Sequence, residues 1–320
     1  MRRIPLIASL ILVIGVLLYP ATALAATWFQ TLASVYLGGA PDYDNPQDVF
    51  VSGDYSYVAD WDNLRIYDVS DPSHPTLVGY NTGSGGTPQN VVVVGDYAYV
   101  VPYQSTGLEI YNVSNKSSPY VTDSLPVSSF GGTTDEVAVS GNYAYVTSWT
   151  GTNHRLTVVE VSDKSNIVVR NYISLTQGLN GAGGLDVSGN WLYVACVDRL
   201  NAVDISDPLN PVMRSYVSLA AHDVTVEGNR AYVVGGWTTQ PDFRIVDVSN
   251  PLSMFILGSY DIPNPAQAYE VDVLGNYAYI AAGDAGLQVL DISHESNPTF
   301  VTSYSVDDAR GVHVTPGNIV

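Results

Sequence analysis

Five oxygen-bearing side chains, Asp48, Asn90, Glu136, Asp223 and Glu270, each head a short apolar run. The runs read DVFVSG at 48–53, NVVVVG at 90–95, EVAVSG at 136–141, DVTVEG at 223–228 and EVDVLG at 270–275. Carboxylate and amide oxygens converging from separate segments form a donor set for a hard cation, and Ca²⁺ takes about 6–8 oxygens. His222 precedes Asp223 and is the candidate base if such a site hydrolysed a substrate. The plain alternative is an acidic, hydrated mouth with no bound ion.

A second set is aromatic. Trp61 beside Asp62, Tyr103, Trp149 and Trp237 follow other apolar segments, where a turn has no need of so large a ring. Exposed rings next to carboxylates and amides suit stacking on sugars, and aromatic anchors dominate protein interfaces. Each ring could equally pack over its own segment. A third set, Asp68, Asn112, Glu160, Asp204, Asp247 and Asp291, recurs in one phrase, as in LRIYDVSDP and LNAVDISDP. A group present in every copy reads as a turn former, its oxygen accepting backbone N–H groups. No G-x-S-x-G, H-E-x-x-H, phosphate loop or paired Cys occurs in the sequence.

The elements that carry these residues repeat. Each copy has a short apolar strand, a, and then Gly followed by Asp or Asn. Strand b returns as YSYVA, YAYVV, YAYVT, WLYVA, RAYVV or YAYIA. Strand c is the Asp-bearing phrase, and strand d follows a Pro- or Ser-rich turn, as in TLVGY at 76–80. Gly before Asn or Asp is a tight hairpin turn. The turn glycines stand at 53, 95, 141, 189, 228 and 275. Four strands recurring at roughly 40–50 residues mark a β-propeller. The expected fold is all-β: four-stranded antiparallel blades, six complete, with a partial seventh shared between the termini. ASVYLG at 33–38 would supply its outer strand and RGVHV at 310–314 its inner one. The missing remainder of that blade suggests a piece of a longer protein; the alternative is a six-bladed ring with spare ends. Antiparallel pairing puts the starts of a strands and the ends of b strands on one face. Both chemical sets above therefore share a rim.

Residues 1–25 read as a secretory leader: Arg2 and Arg3, an apolar run from Ile4 to Leu18, then Ala23-Leu24-Ala25. The run is short for a membrane span of roughly 20 residues. The propeller is expected over 26–320. The formal net charge of −19 opposes binding to phosphate backbones or anionic lipids. Neither nucleic acid nor, after cleavage, membrane insertion is expected, and the chain is expected to be monomeric. The single Cys, Cys196, lies in a strand-like WLYVACV and reads as buried and inert.

LRIYDVSDP, LNAVDISDP, FRIVDVSNP and LQVLDIS, each after a hairpin of the G-[DN]-Y-A-Y-V kind, resemble the LVIVD repeat family. The resemblance spans 33–320 and is weakest in the third copy, where Glu160 replaces Asp and Lys164 stands in the place of Pro. It implies an exported, often surface-attached bacterial or archaeal propeller, and it transfers no catalytic residues. The expected function is a secreted or cell-surface binding propeller rather than an enzyme. Its ligand is read as a polysaccharide or a surface protein, held by Trp61, Asp62, Tyr103, Trp149 and Trp237. The alternatives are an extracellular hydrolase of lactonase type with a divalent cation, Ca²⁺, in the channel, and a structural spacer within a larger surface protein.

Overall fold

The computed structural model describes residues 10–16, 29–36 and 46–319, apart from 62, 84, 104–105, 150–153, 176–181, 236–241, 264–266, 307 and 316–317. Six four-stranded antiparallel sheets form the six blades of a propeller. The first comprises Asp48–Ser52, Tyr55–Asp60, Asn63–Asp68 and Thr76–Asn81 as strands a to d. The sixth comprises Glu270–Leu274, Tyr277–Ala281, Leu287–Asp291 and Thr299–Tyr304. The a strands of successive blades touch one another, so they are innermost.

Strand b is buried on both faces because blades pack on each side of it. Its third residue is an inward tyrosine in every blade: Tyr57, Tyr99, Tyr145, Tyr193, Tyr232 and Tyr279. Each such ring removes roughly 150–250 Å² from water. The core lies between blades. Ala59, Leu64 and Ile66 of blade 1 meet Val91, Ala98 and Val100 of blade 2 in one cluster, and the pattern repeats around the ring. The hairpin glycines have φ near +60°, Gly53 at 60° and Gly275 at 61°, with open space where a Cβ would be. Conformation, not room, demands glycine there.

One feature was not visible as a repeat in the sequence. In every blade the c–d pairing slips by one residue at the same place, as between Ile66 and Tyr67 in blade 1. In blades 1 to 5 the residue after the bulge faces the c–d turn of the next blade. Asp123 accepts from the Ile167 N–H at 2.8 Å, Asn171 donates to the Leu209 carbonyl at 2.7 Å, and Ser215 donates to the Pro251 carbonyl. Gly79 and Gly258 occupy this place in blades 1 and 5, where a Cβ would press into the carbonyls of Lys116 and Glu295. The bulge thus aims a small or hydrogen-bonding residue at its neighbour.

The chain ends also pair. Phe29–Tyr36, Leu10–Val16, Asn318–Ile319 and Val314–Thr315 lie side by side in that order. Leu10–Val16, assigned above to the leader, pairs along its length with Phe29–Tyr36, and among the described residues its one strand pair with the C-terminal strands is Ile14 opposite Ile319. Arg2, Arg3 and the expected cleavage site lie outside the described residues. Among the described residues no helix is long and apolar enough to cross a membrane.

Candidate functional site

The heads of the a strands do meet. A cavity of about 300 Å³ at the channel mouth is lined by Asp48, Asn90, Glu136 and Glu270. The residues one place earlier, Gln47, Gln89, Asp135, Gly183, His222, Tyr269 and Arg310, complete its wall. Asp223 lies deeper, on a second chamber of about 160 Å³ that also holds Asp186, Asp272 and His313. His313 turns into this chamber and stacks on Phe50 with ring centres 4.5 Å apart.

The mouth oxygens have work within the fold. Asp48 Oδ2 accepts from the Val91 N–H at 2.8 Å and from Asn90 Nδ2 at 2.9 Å. Asn90 Oδ1 accepts from the Val137 N–H at 3.1 Å, and Glu136 Oε2 from the Leu185 N–H at 3.3 Å. Asp223 Oδ2 accepts from the Val271 N–H at 2.9 Å, and Glu270 Oε2 from the Val312 N–H at 2.8 Å. Each head residue therefore staples its blade to the backbone of the next. Blade 4 has Gly184 in this place, and its N–H donates instead to the His222 carbonyl at 2.6 Å. A Cβ on Gly183 or Gly184 would collide with His222 or Asp223, so the glycines admit blade 5. A second ring lies one layer down: Asp186 Oδ2 takes the Val226 N–H at 2.7 Å, and Asp272 Oδ2 the Val314 N–H at 2.8 Å.

Burial raises these acids. Asp186 and Asp272 are pushed up to about 6, and Asp223 to about 7. Glu136 and Glu270 stand well above the usual carboxyl range, first through burial and then through repulsion by neighbouring acids. Asp135 is pushed up to about 8 by burial. His222 Nδ1 lies 2.9 Å from the Tyr269 carbonyl, which fixes the proton on Nδ1, and burial lowers its basicity. Among the described residues, no three His, Cys, Asp or Glu side chains are gathered closely enough to hold a metal ion.

Trp61, Tyr103 and Trp149 of the aromatic set fall on the same face. Trp61 follows the last residue of strand b in blade 1, and its N–H donates to Asp60 Oδ1 at 2.9 Å. Asp60 is fully buried and paired with Arg65 at 2.9 Å. Tyr103 and Trp149 end strand b in blades 2 and 3. Trp61 and Tyr103 are 41% and 38% exposed, whereas Trp149 is half-buried between Thr133 and His154. Asp62 and Trp237 lie outside the described residues.

The recurring acids of strand c are turn formers. Asp68 Oδ1 takes both the N–H and the hydroxyl of Ser70, at 2.9 and 2.6 Å. Asn112 and Asp204 do the same with Ser114 and Ser206. Cys196 is buried, and its thiol is pushed up to about 12, chiefly by burial.

A set that the sequence reading passed over joins blades on the c–d turn side. Lys116 of blade 2 donates to the Val113 carbonyl at 2.7 Å and lies 5.5 and 5.7 Å from the Tyr55 and Tyr57 ring centres of blade 1. Lys164 of blade 3 sits likewise over Tyr97 and Tyr99. In blades 5 and 6 the same places hold Arg230 and Glu295, paired at 2.7 Å. Only the exchange of Tyr for Arg and of Lys for Glu at matched positions could have signalled it.

A profile of the LVIVD repeat matches residues 45–82, 85–125, 131–172, 181–218, 220–262 and 265–306. The chain belongs to the LVIVD repeat family. The six matched segments coincide with the six blades. No curated protein matches the sequence. Among solved structures, a protein from Lactobacillus plantarum is similar with a TM-score of 0.71 and 12% identity, covering 95% of this chain and 98% of that one. A candidate 6-phosphogluconolactonase from Bacteroides fragilis has a TM-score of 0.68 and 12% identity, over 95% and 97% of the two chains. BamB from Moraxella catarrhalis has a TM-score of 0.57 and 12% identity, over 85% and 80%. At such identities the likeness is one of fold alone.

Proposed function

We propose that this LVIVD propeller is an exported, non-enzymatic binding protein that holds a surface polysaccharide or surface protein on its strand-a entrance face. The observation that carries this reading is the pair Trp61 and Tyr103, exposed at equivalent ends of strand b in adjacent blades. Large rings held at 41% and 38% exposure at the ends of strand b are pre-organised anchors. Trp149 continues the row in blade 3, and Asp62 and Trp237 extend it by sequence. The chain ends are read as a seventh blade whose inner place is taken by 310–314, where Val312 and Val314 continue the blade-to-blade hydrogen bonding. Export by leader cleavage would take Leu10–Val16 out of that terminal sheet.

A metal-dependent hydrolase is the weaker reading. Asp48, Glu136, Asp223 and Glu270 would each have to share or release an interblade hydrogen bond to coordinate Ca²⁺. The test is retention on cell-wall polysaccharide and on intact cells stripped of glycans. Trp61→Ala with Tyr103→Ala should weaken retention about tenfold or more, since anchor residues carry about 2 kcal/mol or more. The melting temperature should stay unchanged. Undiminished retention by the double variant would overturn the proposal, and loss that tracks a chelator would favour the hydrolase.

A further inference from the structure

The mouth cavity differs from the aromatic row in chemistry, and beyond the Ca²⁺ of the weaker reading no ligand has been assigned to it. Its wall is unbalanced. Asp48, Asp135, Glu136 and Glu270 bring four carboxyl groups to it, against one permanent cation, Arg310. That guanidinium donates to Asp308 at 2.9 Å and lies 4.2 Å from the Tyr269 ring centre, and its Nε has no hydrogen-bond partner among the described residues. His222 sits in the wall as a neutral ring.

Asp135 is the decisive group. Three of the four acids accept a backbone N–H from the next blade, but Asp135 Oδ2 is closed off from solvent and accepts no hydrogen bond. A buried carboxyl oxygen without a donor costs free energy that the fold has no evident reason to bear. Rotation about the final torsion of an Asp is soft and would bring that oxygen to the cavity. Without a partner Asp135 keeps its proton near neutral pH, and a positively charged hydrogen-bond donor is the partner that would let it ionise.

A bare divalent cation does not answer, because among the described residues no three acidic or His side chains converge on one point. The acids are instead spread around a space of about 300 Å³. At roughly 30 Å³ for each water, that space holds about ten non-hydrogen atoms. An ammonium group carries three donors and a full charge, and it can reach separated carboxylates through charge-assisted hydrogen bonds.

We infer that the channel mouth is a binding site for a small organic cation bearing a primary ammonium group, such as a diamine or an amino sugar. Asp135 gives up its proton and accepts from the ammonium, while Glu136, Asp48 and Glu270 are the further acceptors around it. Entry of the cation supplies the counter-charge that ionisation of these buried acids needs.

The test uses the folded chain and four probes: 1,4-diaminobutane, glucosamine, glucose and calcium chloride. Each is titrated calorimetrically near neutral pH in about 0.15 M salt, which screens diffuse attraction to an acidic surface. The two amines are expected to saturate one site, and glucose is expected to show no binding. Asp135→Asn should weaken the amines about tenfold or more, the scale of one charged hydrogen bond, without lowering the melting temperature. Glu136→Gln, which keeps an acceptor for the Leu185 N–H, should weaken them less. Trp61→Ala should leave them unaffected, which separates this site from the aromatic row. The inference is overturned if glucose binds as tightly as glucosamine, or if Ca²⁺ displaces the amines at lower concentration. Amine binding that is unsaturable, or unchanged in Asp135→Asn, would overturn it equally.

Discussion

Asp186 and Asp272 should make the propeller lose stability as pH rises across the mildly acidic range. Both side chains lie in the channel wall, and burial pushes both up to about 6 from an ordinary value of 3.8. Between 3.8 and about 6 the folded chain keeps two protons that the unfolded chain has released. Unfolding then releases protons, so raising the pH favours it. The stabilisation is fully present below the unfolded value and is gone above about 6. At about 1.4 kcal/mol per unit, each side chain contributes about 3 kcal/mol, and the pair ~6. This is an upper figure, because water drawn into the channel relieves part of the cost of ionisation. Two imidazoles oppose the effect. Burial lowers His222 and His313 below 6.5, so each favours folding more as pH rises toward that value. The comparison is therefore made against Asp186→Asn with Asp272→Asn, which keeps both imidazoles and one acceptor oxygen at each site. Urea unfolding at about pH 4, 5, 6 and 7 gives the free energy of each protein from midpoint and slope. The variant should gain on the parent by several kcal/mol from the lowest to the highest pH. A difference that stays flat, or that shrinks as pH rises, would refute the assignment of buried, protonated acids.

Two packing predictions follow from the blade junctions. Gly258→Ala would drive a Cβ into the Glu295 carbonyl of the next blade and should cost about 2 kcal/mol or more in denaturant melts. Ser215→Ala at the matched place in blade 4 loses only its bond to the Pro251 carbonyl and should cost about 1 kcal/mol. Glu295→Lys sets a cation beside Arg230 and should cost about 1 kcal/mol at this partly exposed site. Adding Arg230→Tyr recreates the Lys-over-Tyr arrangement of blades 1 and 2 and should recover most of that loss. A double variant no better than the single one would show that the two places are not coupled.

The sequence by itself determined the repeat, and the repeat determined the blade. Gly-Asn and Gly-Asp turns need positive φ, and continuous apolar runs need burial on both faces; both are local requirements that each copy states in its own residues. The role of Asp68 and its counterparts was legible for the same reason, because its partner Ser70 is two residues away. The shared rim was also legible, since antiparallel pairing alone puts the heads of a strands beside the ends of b strands. Tertiary structure decided what those heads do. Asp48 and Val91 are 43 positions apart, and Asp223 and Val271 are 48 apart, so no local pattern reveals that a head carboxylate binds the next blade's backbone. Spacing suggested converging metal ligands, whereas the ring directs each oxygen sideways to its neighbour. The glycines at 79, 183, 184 and 258 carried no readable message either, because the atoms that exclude a side chain there belong to another blade. What a residue does within one blade is encoded beside it in the chain; what it does between blades depends on contacts that closure of the ring creates.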